Sequence, residues 1–279
     1  MLLVLLISIE SFTVGVQAQT PFSGAIIIGS DGSINPTSAP IQKSGETYKL
    51  LDSFMGNLTV QRNNIVLDGA GFAIGSTVTG TETTVGVDLS FHSNVTVTNL
   101  QVSGFVQGIY LLNSTNCSLI GNNIISNIDG IRIDNSTGNS IIGNNITANR
   151  HGIHPYQDNL FYHNNFVNSS DRDVFFDSAS YVDAWDNGYP SGGNYWSNYT
   201  GVDQKKGSNQ SDAESDGIGD TAQVLSPNNQ DRYPLMTPYV YAPPPTSQPT
   251  SLWMYVMIIV VIAIALALVA VFLLRKRRT

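Results

Sequence analysis

The 279-residue sequence contains one cysteine, Cys117, and only 12% charged residues. A single cysteine excludes an intrachain disulfide framework, so the fold must depend on packing and hydrogen bonds. The scarcity of charge, together with abundant Gly, Asn, Ser and Thr, favours turns and strands and argues against an all-helical fold. Basic residues are outnumbered and the net charge is −8, which makes nucleic acid a poor candidate partner.

A long apolar segment near the C-terminus, Leu252–Leu274, carries no charge. At about 1.5 Å per residue it is long enough to cross a hydrocarbon core of about 30 Å. Trp253 and Tyr255 resemble interfacial anchors, and the basic run Arg275–Arg278 follows the other edge. We predict a transmembrane α-helix over 252–274 and a cytoplasmic basic tail over 275–279.

The N-terminal segment Met1–Ala18 has an apolar stretch, Leu2–Ile9, and ends in the small-residue motif Val-Gln-Ala. This pattern predicts a signal peptide over 1–18 and therefore export. Glu10 interrupts the segment and no positive charge precedes it, so retention as an anchor or a truncated start is the alternative.

An internal repeat of 22 residues occupies the middle of the chain. Glycines recur in one column, each followed by an aliphatic residue: Gly86, Gly108, Gly130 and Gly152, then Val87, Ile109, Ile131 and Ile153. Two further aliphatic or aromatic columns are Val97, Leu119, Ile141, Phe161 and Val102, Ile124, Ile146, Phe166. Short strands separated by polar corners at a fixed period predict stacked coils.

Asparagines also recur in phase with the inward aliphatic residues. Asn122, Asn144 and Asn164 share one corner column, and Asn127 and Asn149 share another. Side-chain amides in such positions can bond to the coil above and to the backbone of a tight turn. We therefore predict asparagine ladders that fix the register.

The repeat units NSTNCSLIGNNIISNIDGIRID and NSTGNSIIGNNITANRHGIHPY resemble the coils of NosD-type, carbohydrate-binding and sugar-hydrolase-like β-helix proteins. The segments GGNYWSNYTGVD, DGIGD and NNQDRYPLM resemble archaeal surface proteins built on this helix. The resemblance implies an all-β, right-handed parallel β-helix with coils of about 22 residues, here followed by one C-terminal transmembrane helix. It carries little information about activity, because a β-helix hosts many functions.

The predicted organisation runs from the signal peptide, 1–18, to the initial strands and β-helix, 19–184. An acidic C-terminal extension over 185–236 follows. A proline-rich stalk over 237–251 precedes the membrane helix, since its prolines favour an extended conformation.

Outward-facing residues of the repeat form two polar columns. The first is a candidate glycan-binding face, Asp88, Tyr110, Arg132 and His154, and the second is Gln107, Asp129 and His151. Coils about 4.8 Å apart would let Asp129, Arg132 and His151 meet. These columns show no pair of carboxylates of the kind used by β-helix polysaccharide lyases and hydrolases, so we predict no catalytic residues.

The NosD resemblance also implies an association with copper-site assembly, which needs clustered His, Met or Cys ligands. His151 and His154 are three residues apart on one strand, which predicts opposite faces, and Cys117 aligns with the inward Val95. On this reasoning no copper ligand cluster is expected.

An acidic stretch matches positions 1, 3, 5 and 9 of a calcium loop, with Gly217 at position 6; its candidate ligands are Asp212, Glu214, Asp216 and Asp220. Position 12 is Gln223, which cannot supply a bidentate carboxylate. We predict at most weak calcium binding, with a solvated acidic turn as the alternative.

Nine Asn-x-Ser/Thr sequons are candidate N-glycosylation sites: Asn57, Asn94, Asn113, Asn116, Asn135, Asn145, Asn168, Asn198 and Asn209. The combined features predict a single-pass cell-surface protein with its ectodomain outside and its C-terminus in the cytoplasm. Its expected role is non-enzymatic binding of glycans or envelope proteins. The alternatives are a carbohydrate-active enzyme and an accessory to copper-site assembly.

Overall fold

The computed structural model describes residues 21–76 and 84–242. The predicted signal peptide, the transmembrane segment, the basic tail and nearly all of the stalk lie outside this part. Within these two ranges, no helix has the length and apolar character needed to cross a membrane. The chain divides into two units, Met1–Tyr241 and Ala242–Thr279, of which the second lies almost wholly outside the described residues.

The described residues form strands and turns without helices. The strands of the first half of the described chain are β1 (Ile26–Ile28), β2 (Ile34–Asn35), β3 (Ile41–Ser44), β4 (Thr47–Leu50), β5 (Phe54–Met55), β6 (Leu58–Val60), β7 (Ile65–Asp68), β8 (Ala73–Gly75), β9 (Val85–Asp88), β10 (Val95–Thr98), β11 (Gln101–Ser103), β12 (Gln107–Leu112) and β13 (Ser118–Ile120). Those of the second half are β14 (Asn123–Ile125), β15 (Asp129–Asp134), β16 (Ser140–Ile142), β17 (Asn145–Thr147), β18 (His151–His154), β19 (Leu160–Tyr162), β20 (Asn165–Val167), β21 (Arg172–Val174), β22 (Tyr195–Trp196), β23 (Lys205–Lys206), β24 (Asp212–Ala213), β25 (Gln223–Ser226) and β26 (Asn229–Asp231).

Three long sheets make up a right-handed-type parallel β-solenoid of about six turns, which confirms the predicted β-helix. Sheet 1 has the order β2-β1-β6-β9-β12-β15-β18-β21, sheet 2 the order β19-β16-β13-β10-β7-β4-β3, and sheet 3 the order β22-β20-β17-β14-β11-β8-β5. Successive coils pair in parallel at the predicted shift of 22 residues, as in Ile109↔Ile131. The last full coil shifts by 20, as in Ile141↔Phe161.

Short strands alternate inward and outward residues, and this alternation builds the core. In β16, Ile141 is fully buried whereas its neighbour Ile142 is half-buried. The inward residues of all three sheets form one continuous apolar cluster along the solenoid axis. Cys117 belongs to this cluster at 1% exposure, as its alignment with Val95 predicts.

The predicted asparagine ladders are present at the corners. Asn122 donates from Nδ2 to Asn144 Oδ1 at 3.0 Å, and Asn144 donates in the same way to Asn164 Oδ1 at 2.9 Å. A further ladder runs from Asn139 to Asn159. Each amide therefore bonds to the coils on both sides, which fixes the register of the stack.

In two of these ladders the run of asparagines is followed by an aspartate. Asn159 donates its backbone N–H to Asp183 Oδ1 at 2.9 Å, and Asn194, the next member after Asn164, donates to Asp231 Oδ2 at 2.7 Å. A carboxylate has no N–H₂ to donate, so the side-chain amide bonds stop at each aspartate, although the backbone N–H of Asp183 still donates to Asn229 Oδ1 at 2.9 Å.

The two ends of the solenoid are closed differently. At the N-terminal end, the antiparallel strands β2 and β3 form the outer edges of sheets 1 and 2. At the other end, Trp185 and Trp196 are buried against the last coil, where Trp185 stacks on Phe161 with ring centroids 4.4 Å apart.

Candidate metal centre on sheet 1

The outer face of sheet 1 carries the polar columns found in the repeat. Asp88, Tyr110, Arg132 and His154 occupy successive positions of one register column, as predicted. Asp129 and His151 are direct neighbours in the second column. The structure therefore places the candidate glycan-binding residues side by side along four adjacent strands.

Three side chains from the two columns converge on one point. His151 Nδ1 lies 2.7 Å from Asp129 Oδ1, and His154 Nε2 lies 3.3 Å from the same oxygen and 3.2 Å from His151 Nδ1. All three residues are buried, with 4–8% of their surface exposed. They are the one group of three or more His, Cys, Asp or Glu side chains in the described ranges whose donor atoms lie this close together.

The prediction that His151 and His154 lie on opposite faces is wrong, and the glycine column gives the reason. A Cβ atom on Gly152 would lie 2.5 Å from Asp173 O, and one on Gly130 would lie 2.5 Å from Gly152 O. The backbone at these positions packs directly against the next coil, and simple alternation is interrupted there, since all four residues of β18 are buried. Both imidazoles consequently lie on the outer side of sheet 1.

The segment that follows β18 adds an outer layer to this cluster. Asp171 Oδ2 lies 3.1 Å from His151 Nε2, and Asp177 Oδ2 lies 3.9 Å from His154 Nδ1. Phe175 stacks on His154 with centroids 4.5 Å apart and contacts the His151 ring at 4.9 Å. His151 therefore has one nitrogen directed at the centre of the cluster and the other at Asp171, whereas the outer nitrogen of His154 lies closer to the Arg132 guanidinium, at 3.3 Å, than to Asp177.

Arg132 borders the cluster and is surrounded by acceptors. Its guanidinium lies 2.8 Å from Asp134 Oδ2, 3.4 Å from Asp177 Oδ2 and 3.3 Å from His154 Nδ1. Burial opposes the charge of Arg132, but the hydrogen bond and attraction to Asp134 outweigh it and raise the pKa of the guanidinium. Arg132 offsets only part of the local negative charge, because Asp129, Asp134, Asp171 and Asp177 all lie nearby.

Tyr110 does not offer a free platform for a sugar. Its hydroxyl donates to Asp134 Oδ2 at 3.0 Å and its ring is half-buried. Burial and the neighbouring Asp134 carboxylate raise the pKa of Tyr110 to about 12. The phenol therefore stays protonated and remains a hydrogen-bond donor to Asp134.

The carboxyl group of Asp129 is held in its ionised form. Burial opposes ionisation, but hydrogen bonds from His154 and then from His151 outweigh it and lower the pKa of Asp129. An ionised carboxylate and two imidazole nitrogens form a donor set that suits divalent transition metals.

The spacing of the donors also fits a metal ion. Ligands at about 2.0–2.2 Å from one ion are separated by about 2.8–3.1 Å in octahedral geometry and by about 3.3–3.6 Å in tetrahedral geometry, close to the 2.7–3.3 Å observed. Metal-bound histidines commonly direct their second N–H at a carboxylate, which is the position of Asp171 relative to His151. The residues of this cluster therefore fit a metal centre.

The four acidic residues of the predicted calcium loop do not share one centre. Glu214 pairs with Lys206, and Asp220 accepts from the backbone N–H groups of Gln204 and Lys205. Asp216 accepts from Ile218 N at 3.1 Å, and Asp212 is exposed on β24. Calcium binding by this loop stays a prediction.

The nine sequons lie at the surface to different extents. Eight of the asparagines are exposed, and Asn57 is half-buried. Accessibility therefore does not by itself select one glycosylation site among the eight.

Comparison with known proteins places the chain in a family. The sequence model described as "Periplasmic copper-binding protein (NosD)" matches residues 8–201. The chain belongs to the NosD family. This membership agrees with the predicted resemblance and with a periplasmic or extracellular location. No curated protein sequence matches this NosD-family chain.

Two solved structures show similarity to the NosD-family chain, both of mutants of the periplasmic alginate epimerase AlgG. One has 17% identity and a TM-score of 0.28 and covers 47% of this chain and 36% of that chain. The other has 18% identity and a TM-score of 0.21 and covers 47% of this chain and 42% of that chain. The chain thus matches less than half the length of either epimerase, and similarity at this level carries no argument about activity.

Proposed function

We propose that this NosD-family chain is an exported β-helix protein that binds copper(II) at Asp129, His151 and His154. The observation that carries the proposal is the convergence of three donor atoms within 3.3 Å of one another. The family's description as copper-binding supports the choice of metal. The proposal replaces the expectation that no copper ligand cluster exists.

The chemistry of the donors favours the oxidised form of copper. Copper(I) prefers thiolate and thioether ligands, whereas this cluster offers two imidazole nitrogens and one carboxylate oxygen. Cys117 is buried in the core, away from the cluster. Among divalent first-row metals a nitrogen and oxygen site binds copper(II) most tightly, so zinc should bind the same residues more weakly.

Titration of copper(II) into the protein should show one tight site. Removing an imidazole from a three-ligand site leaves too few donors, so His151→Gln should weaken binding by at least about 100-fold. Isothermal titration calorimetry measures the affinity, and the nitrogen hyperfine pattern in electron paramagnetic resonance reports the number of bound imidazoles.

The matched control is His163→Gln. His163 Nε2 bonds to Ser191 O at 2.7 Å, in a different corner of the solenoid, so this variant should bind copper(II) like the wild type. Equal affinities for wild type and His151→Gln, or no binding by the wild type at micromolar copper(II), would reject the proposed site.

We infer that the protein acts by binding rather than by catalysis, outside the cell and anchored by the predicted helix 252–274. Glycans and envelope proteins remain proposed partners of the sheet 1 face. A glycan array probed with metal-free and copper-loaded protein tests this, and binding without turnover would distinguish it from the alternative of a carbohydrate-active enzyme.

Calcium is a second proposed ligand, held by the acidic stretch Asp212–Asp220. Crowded carboxylates repel one another without a cation, so calcium at about 100 times its dissociation constant should stabilise this region by roughly 2.7 kcal/mol. Asp216→Ala should abolish the stabilisation, while Asp88→Ala, on the distant face of β9, should preserve it. Thermal melts in calcium or chelator measure the effect, and identical melts of the wild type in both would contradict calcium binding.

A further inference from the structure

Phe91 is an unusual surface residue at the corner between β9 and β10. Its side chain is 67% exposed and its φ is +66°, a left-handed conformation that bulky residues rarely adopt. An exposed apolar side chain alone needs no explanation. The combination of exposure and backbone strain does need an explanation, because residues held in strained conformations often have a function.

The equivalent residues of the next two coils show what this backbone position normally holds. Asn113 and Asn135, at shifts of 22 and 44 residues, have φ values of +50° and +46°. Asparagine tolerates this conformation much better than phenylalanine. The N–H groups of Phe91 and Asn113 each donate to a carbonyl one coil further on, to Leu112 O and Asp134 O, so the ring and the amide occupy successive rungs of one column.

Asn113 begins the sequon Asn113-Ser114-Thr115, and both Asn113 and Thr115 are exposed. Two other sequon asparagines have their amide nitrogens engaged: Asn135 donates from Nδ2 to Asn113 Oδ1, and Asn94 donates from Nδ2 to Asn64 Oδ1 at 2.8 Å. Within residues 21–76 and 84–242, Asn113 Nδ2 forms no hydrogen bond. Its amide nitrogen is therefore available for attachment of a sugar, about 4.8 Å along the stack from Phe91.

We propose that Asn113 carries an N-linked glycan and that Phe91 is the stacking platform for its first sugar. The face of an aromatic ring is negative and attracts the positively polarised C–H groups on one face of a pyranose. A ring fixed at the rung beside the attachment point needs little ordering to make this contact. The contact also accounts for a phenylalanine at a position where asparagine would be unstrained.

The experiment compares the full-length chain made in a yeast secretory host and in a bacterium without N-glycosylation, both solubilised in detergent. Glycopeptide mass spectrometry should show Asn113 occupied. The melting temperature of the glycosylated wild type should exceed that of the unglycosylated form by about 2–4 °C. This is the shift expected when one sugar stacks on one aromatic ring in a domain of about 150–250 residues.

Substitutions at Phe91 and Asn113 test whether the aromatic ring causes the shift in melting temperature. Phe91→Tyr should keep the shift, whereas Phe91→Gly and Asn113→Gln should reduce it below about 1 °C. Glycine is used because asparagine at this position would create a new sequon with Ser93, and glycine accepts the positive φ. An unoccupied Asn113, or an undiminished shift in Phe91→Gly, would overturn the proposal.

The competing explanation is that Phe91 binds a free oligosaccharide instead of a glycan attached to Asn113. Cellohexaose titrated into the unglycosylated protein should not bind. Binding that is lost in Phe91→Gly would show that the ring holds a free oligosaccharide and would overturn the assignment to Asn113.

Discussion

Ile141→Asp should destabilise the solenoid by several kcal/mol or prevent folding. Ile141 is fully buried, and its neighbours Leu119 and Phe161 in the adjacent coils are also buried. A carboxylate there would have no hydrogen-bond partner in an apolar core, which is among the most destabilising of single changes. Urea unfolding monitored by the fluorescence of the buried tryptophans measures the loss.

The control lies one residue further along the same strand. Ile142 is half-buried and on the outer side of β16, so Ile142→Asp should cost less than about 1 kcal/mol. Similar losses for the two variants would contradict the register of sheet 2.

Asp183→Asn should raise the melting temperature at pH 8 by about 2–12 °C. Asp183 Oδ1 accepts one backbone N–H, whereas Oδ2 is buried without a hydrogen-bond partner. An unsatisfied buried acceptor costs roughly 1–3 kcal/mol, and each kcal/mol corresponds to about 2–4 °C in a domain of this size. An asparagine would extend the ladder, because its Nδ2 could donate to the backbone as those of Asn139 and Asn159 do.

The effect should depend on pH in a defined direction. Burial raises the pKa of Asp183 from 3.8 to about 7. Hydrogen bonds from Asn159 oppose this rise, and the negative charge of Asp158 adds to it. A raised pKa means that the stability contributed by this group is complete below pH 3.8 and is lost as the pH rises through 7. Wild type and Asp183→Asn should therefore melt at similar temperatures at pH 4 and diverge by pH 8.

Asp231→Asn provides a contrast at the end of the other ladder. The carboxylate of Asp231 accepts from Asn194 N at 2.7 Å, Trp196 Nε1 at 2.9 Å and Tyr233 N at 3.1 Å. An amide would direct its own N–H₂ at one of these donors, so this variant should melt lower than the wild type at pH 8. If both variants melted at a higher temperature than the wild type, the hydrogen-bond partners of the two carboxylates would not decide the effect of the substitution.

The sequence predicted the solenoid well because every coil repeats the same local pattern. The inward columns and the asparagine ladders recur at a shift of 22, so a single register explained Ile131, Asn144 and their equivalents together. The two aspartates at which the side-chain amide bonds stop could not be found in this way, since Asp183 and Asp231 lie 24 and 37 residues after the asparagines that they bind. Ladder ends are formed by residues outside the repeat.

The convergence of Asp129, His151 and His154 was missed for a local reason and a distant one. Strict alternation along β18 separates His151 from His154, but alternation is interrupted around Gly152 and the two imidazoles lie together. The column shared by Asp129 and His151 was visible in the sequence, and the recurring glycines were the signal that alternation could be interrupted next to it. Asp171 and Asp177 come from the segment after the last regular repeat, where the 22-residue period no longer applies.

The hairpins at the N-terminal end have a consequence for self-association. A parallel solenoid with an open end offers unpaired backbone groups on which another copy could continue the stack and form a fibre. Here the outer edges of sheets 1 and 2 are the antiparallel strands β2 and β3. A second solenoid therefore cannot extend sheets 1 and 2 at this end in their own parallel register.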